Sequence, residues 1–361
     1  MSIYNKKLWD FIRLCLIASI CSLLLLIVFV KIQNSDLLDF EIYYEAGRSV
    51  LNGEKVYQFY GNYQLPFQYF PWIAWLFAPF AIFDIHTAWI LFSLINIFLF
   101  FYSIFILLNI TEKEVDSNTK ITLSLFYLSA ALVMSLLLFT VGQISIFLLF
   151  LCTVTIKLID EDKRTIAGIL TPVLLLKPHL MLVFFPIVLK KGGKDYLLSS
   201  IISIVILGSI ATLLNTEWIT EMLKIIFLGQ LRGDDLLWGY TTFAGAFEMK
   251  NWRIINFYFS IPSLIISYFI IHKIRNATTV LYLISGLTLS LFAAPYSFAY
   301  DLPLLTPALV LLSSQYKNFS LLIWGIAVIV PIISGFQGQS YFLILIVSIL
   351  VIFEAKQTLQ K

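Results

Sequence analysis

The sequence predicts an all-α polytopic membrane protein, and two observations predict it. The chain of 361 residues has a mean hydropathy of +0.91 and only 12% charged residues, about half the charge of an ordinary soluble domain. Its apolar residues gather in repeated stretches of about 17–23 residues, the length that spans a hydrocarbon core of about 30 Å. None of these stretches alternates as barrel strands do. A backbone crossing lipid must satisfy its own hydrogen bonds, so the spans are expected to be helices.

Lys6, Lys7 and Arg13 precede the first apolar run, Leu14 to Val30, and no small-residue cleavage site follows it. This is the pattern of an uncleaved signal anchor with a cytoplasmic N-terminus. Further spans are expected near 87–110, 121–140, 144–158, 196–215, 254–272, 278–295, 302–314, 319–335 and 340–353. Lys and Arg then collect in the cytoplasmic connections (TEKEVDSNTK, DEDKR, KKGGKD, HKIRN, SQYKN and the tail). Asp and Glu are more frequent outside, and this asymmetry sets the orientation.

Residues 165–189 interrupt the alternation, because basic segments flank both ends and Pro172, Lys177, Pro178 and Pro186 lie within. A Lys-Pro facing lipid would be expensive. A pair of short or tilted helices turning at Lys177-Pro178-His179 is expected, with Lys177 in a cavity that opens outward. About ten full spans plus this re-entrant hairpin result, in a single domain 1–361. Its longer outer segments are 31–86 and 216–253.

In the first outer segment Phe40, Tyr43, Tyr44, Gly47 and Leu51 share a helical face, with Glu41, Glu45, Arg48 and Asn52 opposite. Asn52-Gly53 is the expected stop. Pro71 then opens a more apolar helix, Trp72 to Phe83. The two are expected as interfacial helices after the first span. Cys15, Cys21 and Cys152 lie within apolar stretches, and His86, His179 and His272 show no ligand spacing, so neither a disulfide framework nor a metal site is expected. There is no Gly-rich nucleotide loop, no cofactor is implied, and the charge pattern points to no nucleic acid.

DFEIYYEAGRSVLNGEKVY, then FQYFPW and APF, resembles the opening of glycosyltransferase family 87, with its D-F-x-x-Y-x-A-G, L-x-G-x-x-x-Y and F-x-Y-P-P pattern. Gly142-Gln143, AGILTPVLLLKPHLMLVFFPIVLKK and APYSFAYDLPLL agree with later family stretches in order, so the resemblance spans about residues 35–305. Phe70 departs from the first Pro of Y-P-P. Tyr300-Asp301 stands where the mycobacterial branch has histidines. The resemblance implies a GT-C type architecture and an inverting transfer of mannose or another hexose. The donor would be a polyprenyl-phosphate sugar and the acceptor a lipid or glycan, at the outer face of the cytoplasmic membrane.

Within that frame Asp39 is the candidate general base, since the acceptor hydroxyl must lose a proton as it attacks. Its alternative role is a helix N-cap, and Asp36 is the fallback base. Lys177 is a candidate contact to the leaving phosphate, or else it snorkels or pairs with a carboxylate in the cavity. Asp301 orients substrate, partners Lys177, or caps the following helix. His179 and Arg232 are candidate substrate and phosphate contacts. Tyr43, Tyr69 and Gln143, within the resembling stretches, are candidate contacts to substrate or donor phosphate. A secondary transporter or lipid flippase is the alternative function, but such proteins place discontinuous helices in corresponding positions of two halves, and only one such element is visible.

Overall fold

The computed structural model describes residues 37–61, 65–112, 116–134, 141–232, 241–247, 252–316, 319–333 and 340–358. The expected anchor helix, Asp36, Cys15 and Cys21 lie outside these residues.

The helices are α1 Leu38–Asn52, α2 Pro71–Phe77, α3 Ile85–Thr111, α4 Ser117–Met134, α5 Ser145–Asp160, α6 Arg164–Ile169, α7 Thr171–Leu174 and α8 Phe184–Leu214. They continue with α9 Trp218–Arg232, α10 Phe243–Ala246, α11 Trp252–Lys273, α12 Thr279–Ala293, α13 Thr306–Gln315, α14 Ser320–Ile333 and α15 Tyr341–Thr358. Short 3₁₀ turns occupy Phe80–Ile82, Pro178–Leu180 and Ala299–Leu305. The sheet content described is one two-residue antiparallel pair, Phe59–Tyr60 (β1) with Leu65–Pro66 (β2), in register Phe59 to Pro66.

Among the described residues four helices have the length and apolarity to cross a membrane: Ile85–Thr111, Phe184–Leu214, Ile254–Lys273 and Tyr341–Thr358. Two shorter apolar helices, Thr279–Ala293 and Leu322–Ile333, accompany them. The all-α membrane class therefore stands, and the expected first span, 14–30, lies outside the described residues. The segment expected to span at 302–314 has a different form. It is a 3₁₀ turn running into the ten-residue α13, because Pro303 and Pro307 each remove a backbone donor.

The packing has a dry centre and a greasy rim. Helix α12 carries no charged residue, only hydroxyls among its apolar side chains, and is buried on nearly every side, as expected of a helix with no strongly polar face. It packs against α5, α8, α11 and α15. On the rim, Ile201, Ile202, Val205, Leu213 and Leu214 of α8 and Phe257, Tyr258, Ile265 and Phe269 of α11 are exposed. Apolar patches of that extent need a covering, and bilayer lipid supplies one. On its inner side α8 is lined by small residues. A Cβ on Gly168 of α6 would lie 2.5 Å from the Tyr196 carbonyl oxygen, so only glycine allows this crossing.

Two local expectations change. The loop expected at KKGGKD is instead a single break in α8 at Gly193, whose φ of 63° and ψ of −151° suit glycine. The second outer helix ends at Phe77 rather than Phe83, since Pro79 has no N–H to continue it. The stop at Asn52-Gly53 is observed. Gly53 takes φ 68°, and Glu54 N–H closes on Ser49 O at 2.8 Å. On the expected inner face of α1, Phe40, Tyr43, Tyr44 and Gly47 are buried, whereas Leu51 is exposed at the helix end.

Candidate active site

The site is assembled by three backbone irregularities, each traceable to sequence. Gly47 lets α1 lie directly on the end of α2, because a Cβ there would sit 2.6 Å from Phe77 C. Gly142, with φ 72°, turns the chain into α5 so close to α1 that a Cβ would fall on Phe40. Lys177-Pro178 breaks the helical path between α7 and the 3₁₀ turn that follows.

The first irregularities bring together one polar wall. Asp39 lies in the first turn of α1 and is half-buried. A carboxylate there faces the favourable end of the helix dipole. The N-cap position belongs to Leu37, so capping is not the role of Asp39. One turn on, Tyr43 Oη lies 2.8 Å from Tyr69 Oη and 3.2 Å from Gln143 Oε1. Tyr69 is delivered by β2 and the stretch before Pro71, and Tyr57 Oη donates to its carbonyl at 3.1 Å. Burial holds both phenols well above their ordinary pKa, and the neighbouring charge of Asp39 pushes each further the same way. Tyr43 and Tyr69 are therefore neutral hydrogen-bond donors at physiological pH.

The break at Lys177 builds the second wall. Lys177 Nζ lies 2.7 Å from Asp301 Oδ1 and donates to Ser145 Oγ at 2.8 Å. Ser145 Oγ in turn donates to the same carboxylate oxygen at 2.6 Å. Asp301 Oδ2 accepts from Phe298 N–H at 3.0 Å. The pair is 4% and 1% exposed, so it is a sealed ion pair with nearly all of its acceptor capacity used. The Lys177 ammonium also stands 4.6 Å from the centroid of the Tyr300 ring, a cation–π distance. At the rim the His179 ring stacks on Tyr296, with centroids 3.8 Å apart.

The walls share the start of α5, where Gln143 serves one and Ser145 the other. The charge of Asp301 is felt at Tyr69, so the two walls lie within one electrostatic neighbourhood. Trp72 Nε1 ties α2 to the hairpin through Pro172 O at 3.0 Å. Thr241 N–H donates to Ser297 O at 2.8 Å, fastening the second outer segment beside Asp301.

Asp39, Tyr43, Tyr69, Gln143, Lys177, His179 and Asp301 thus gather in one region. The backbone of Arg232 ends α9, and its side chain lies outside the described residues. Of the alternatives the sequence left open for Lys177, the structure has the pairing with a buried carboxylate, Asp301. Sequence reasoning missed Ser145, a small helical residue like many others here, and the Tyr300 ring, one aromatic among the many of a membrane-interface belt. Among the described residues no group of three His, Cys, Asp or Glu side chains is placed to hold a metal ion.

The fold and site define an integral-membrane helical protein with a polar, charge-bearing site set into an apolar bundle. The sequence pattern of glycosyltransferase family 87 matches residues 67–295, more than half of the chain, and the protein belongs to that family. The matched region holds Tyr69, Gln143, Ser145, Lys177 and His179, while Asp39 and Tyr43 precede it and Asp301 follows it. No curated protein and no solved structure matches the chain.

Proposed function

We propose that this glycosyltransferase moves mannose or another hexose from a polyprenyl-phosphate donor to a lipid or glycan acceptor at the outer face of the cytoplasmic membrane, with inversion. The observation that carries the reading is the contrast between the two carboxylates of one site. Asp301 is sealed, with Oδ1 taking both Lys177 and Ser145 and Oδ2 taking Phe298 N–H. Asp39 is half-buried beside neutral tyrosines. A general base must reach the proton it takes, and of these two only Asp39 suits that work.

In the proposed step the acceptor oxygen attacks the anomeric carbon and its proton passes to the Asp39 carboxylate. The bond from that carbon to the phosphate oxygen breaks, and polyprenyl phosphate leaves with the electron pair. Lys177 has three N–H donors, of which Asp301 and Ser145 take two, and a phosphate oxygen would reach the third by displacing the Tyr300 ring that stands over the ammonium. Because Asp301 balances its charge, its contribution is a directed hydrogen bond more than a free field.

Washed membranes supplied with labelled polyprenyl-phosphate mannose or glucose test this reading. Label should enter lipid or glycan from one of them, with an anomeric linkage opposite to the donor's. Retained configuration would overturn the one-step displacement.

The sidedness is tested separately. A cysteine replacing Lys55, whose side chain is 71% exposed, should react with an impermeant thiol reagent from outside intact cells. One replacing Lys194, also exposed, should react only after lysis. The reverse labelling would move the site to the cytoplasmic face.

A further inference from the structure

The Gln143 side chain is held in one orientation by two partners. Ile144 N–H, which can only donate, lies 3.4 Å from its Oε1, so the amide oxygen faces the helix start. Tyr43 must then donate to that oxygen, and Tyr69 must donate to Tyr43. The result is a directed chain from Tyr69 through Tyr43 to Gln143. Both phenols are raised in pKa by burial and so keep their protons. Gln143 itself is 3% exposed, yet its Nε2 has no partner among the described residues. Asn96 in α3 offers a contrast, since both of its amide atoms are sealed in the core without a partner while the Gln143 Nε2 is not. A fixed amide whose two N–H donors are left over among the described residues, bonded to the Tyr43 that feels the Asp39 charge and two residues before Ser145, is a group waiting for an oxygen acceptor.

We infer that Gln143 is a sugar-reading residue, donating from Nε2 to a hydroxyl oxygen of the donor hexose, with Tyr43 and Tyr69 fixing the direction of the amide. This rests on the lipid-phosphate-sugar reading above. It adds that sugar recognition is separate from phosphate recognition, with Gln143 on the first and Lys177 on the second. A buried polar contact to a substrate hydroxyl discriminates strongly, because a substrate lacking it leaves the donor unpaired.

The test uses purified full-length protein in detergent and two probes, citronellyl phosphate and citronellyl phosphate carrying the hexose (the mannosyl or glucosyl form, whichever binds better). Wild type should bind the sugar-bearing probe more tightly. Gln143→Leu should remove about tenfold of that preference, the weight of one neutral hydrogen bond, and leave citronellyl phosphate binding unchanged. Gln143→Glu should keep part of the preference, since a carboxylate can accept from a hydroxyl. Tyr43→Phe, which frees the amide to turn, should lose a smaller part. A Gln143→Leu protein that keeps the full preference overturns the inference. So does a Gln143→Glu protein that weakens on both probes equally, which would put the contact on phosphate. Wild type binding neither probe would sink the donor reading itself, and this inference with it.

Discussion

Asp39→Asn should lower turnover by about 10²–10⁴-fold, the usual contribution of a positioned general base, with donor affinity little changed. The substitution keeps size, and it removes no helix cap because Leu37 holds that position. It removes the proton acceptor, and the first-turn negative charge lost with it is worth about 0.3–1 kcal/mol at a helix start. A large activity loss with a small change in melting temperature is therefore the expected signature. Glu in its place should keep partial activity, limited by a displacement of about 1 Å that can itself cost about 10²-fold. Asp36→Asn should be mild. A dead Asp36→Asn beside an active Asp39→Asn would move the base three residues upstream.

The second large effect is on stability. Lys177→Met leaves the Asp301 carboxylate buried without its cation, and breaking a sealed pair from one side costs about 3–5 kcal/mol. Ser145 and Phe298 N–H still donate to the carboxylate, which places the loss at the lower end of that range. The protein should melt markedly earlier in detergent. Removing both charges, as Lys177→Met with Asp301→Leu, should recover most of the stability, because well-packed apolar replacements of buried pairs are often neutral. Activity should stay low in the double variant if the pair also serves the site. Recovery of both stability and turnover would make the pair purely structural. Asp301→Asn can still accept from Phe298 N–H, so wild-type turnover in that variant would remove Asp301 from the chemistry.

The parts of this architecture that were legible from sequence are the parts where one residue type has one physical reason to be present. Gly53 at a left-handed helix end, Pro71 opening a helix, and the buried stripe of Phe40, Tyr43 and Tyr44 follow from local rules, and the structure has them. Local rules also marked Lys177-Pro178 as a break. They could not decide between lipid interface, phosphate and carboxylate as the partner of Lys177, because Asp301 is 124 residues away and meets it only through packing. The same limit hid Ser145, whose bridging position depends on how closely Gly142 lets α5 approach α1. Hydropathy alone also misjudged the form of one segment: the apolar run at 302–314 has the composition of a span, but Pro303 and Pro307 divide it into a 3₁₀ turn and a short helix. Hydropathy measures how greasy a segment is, and it is silent on where the backbone breaks.

A lipid-phosphate sugar as donor, with Asp39 as the base, is the central claim. The most direct measurement is single-turnover transfer by purified protein in lipid vesicles. Each reaction would receive either a labelled polyprenyl-phosphate hexose or the corresponding nucleotide sugar, with wild type and Asp39→Asn run side by side. Wild type should transfer label from the lipid-phosphate donor alone, and Asp39→Asn should bind this donor but transfer at least about a hundredfold more slowly. Transfer from the nucleotide sugar, or equal rates for the two proteins, would contradict it.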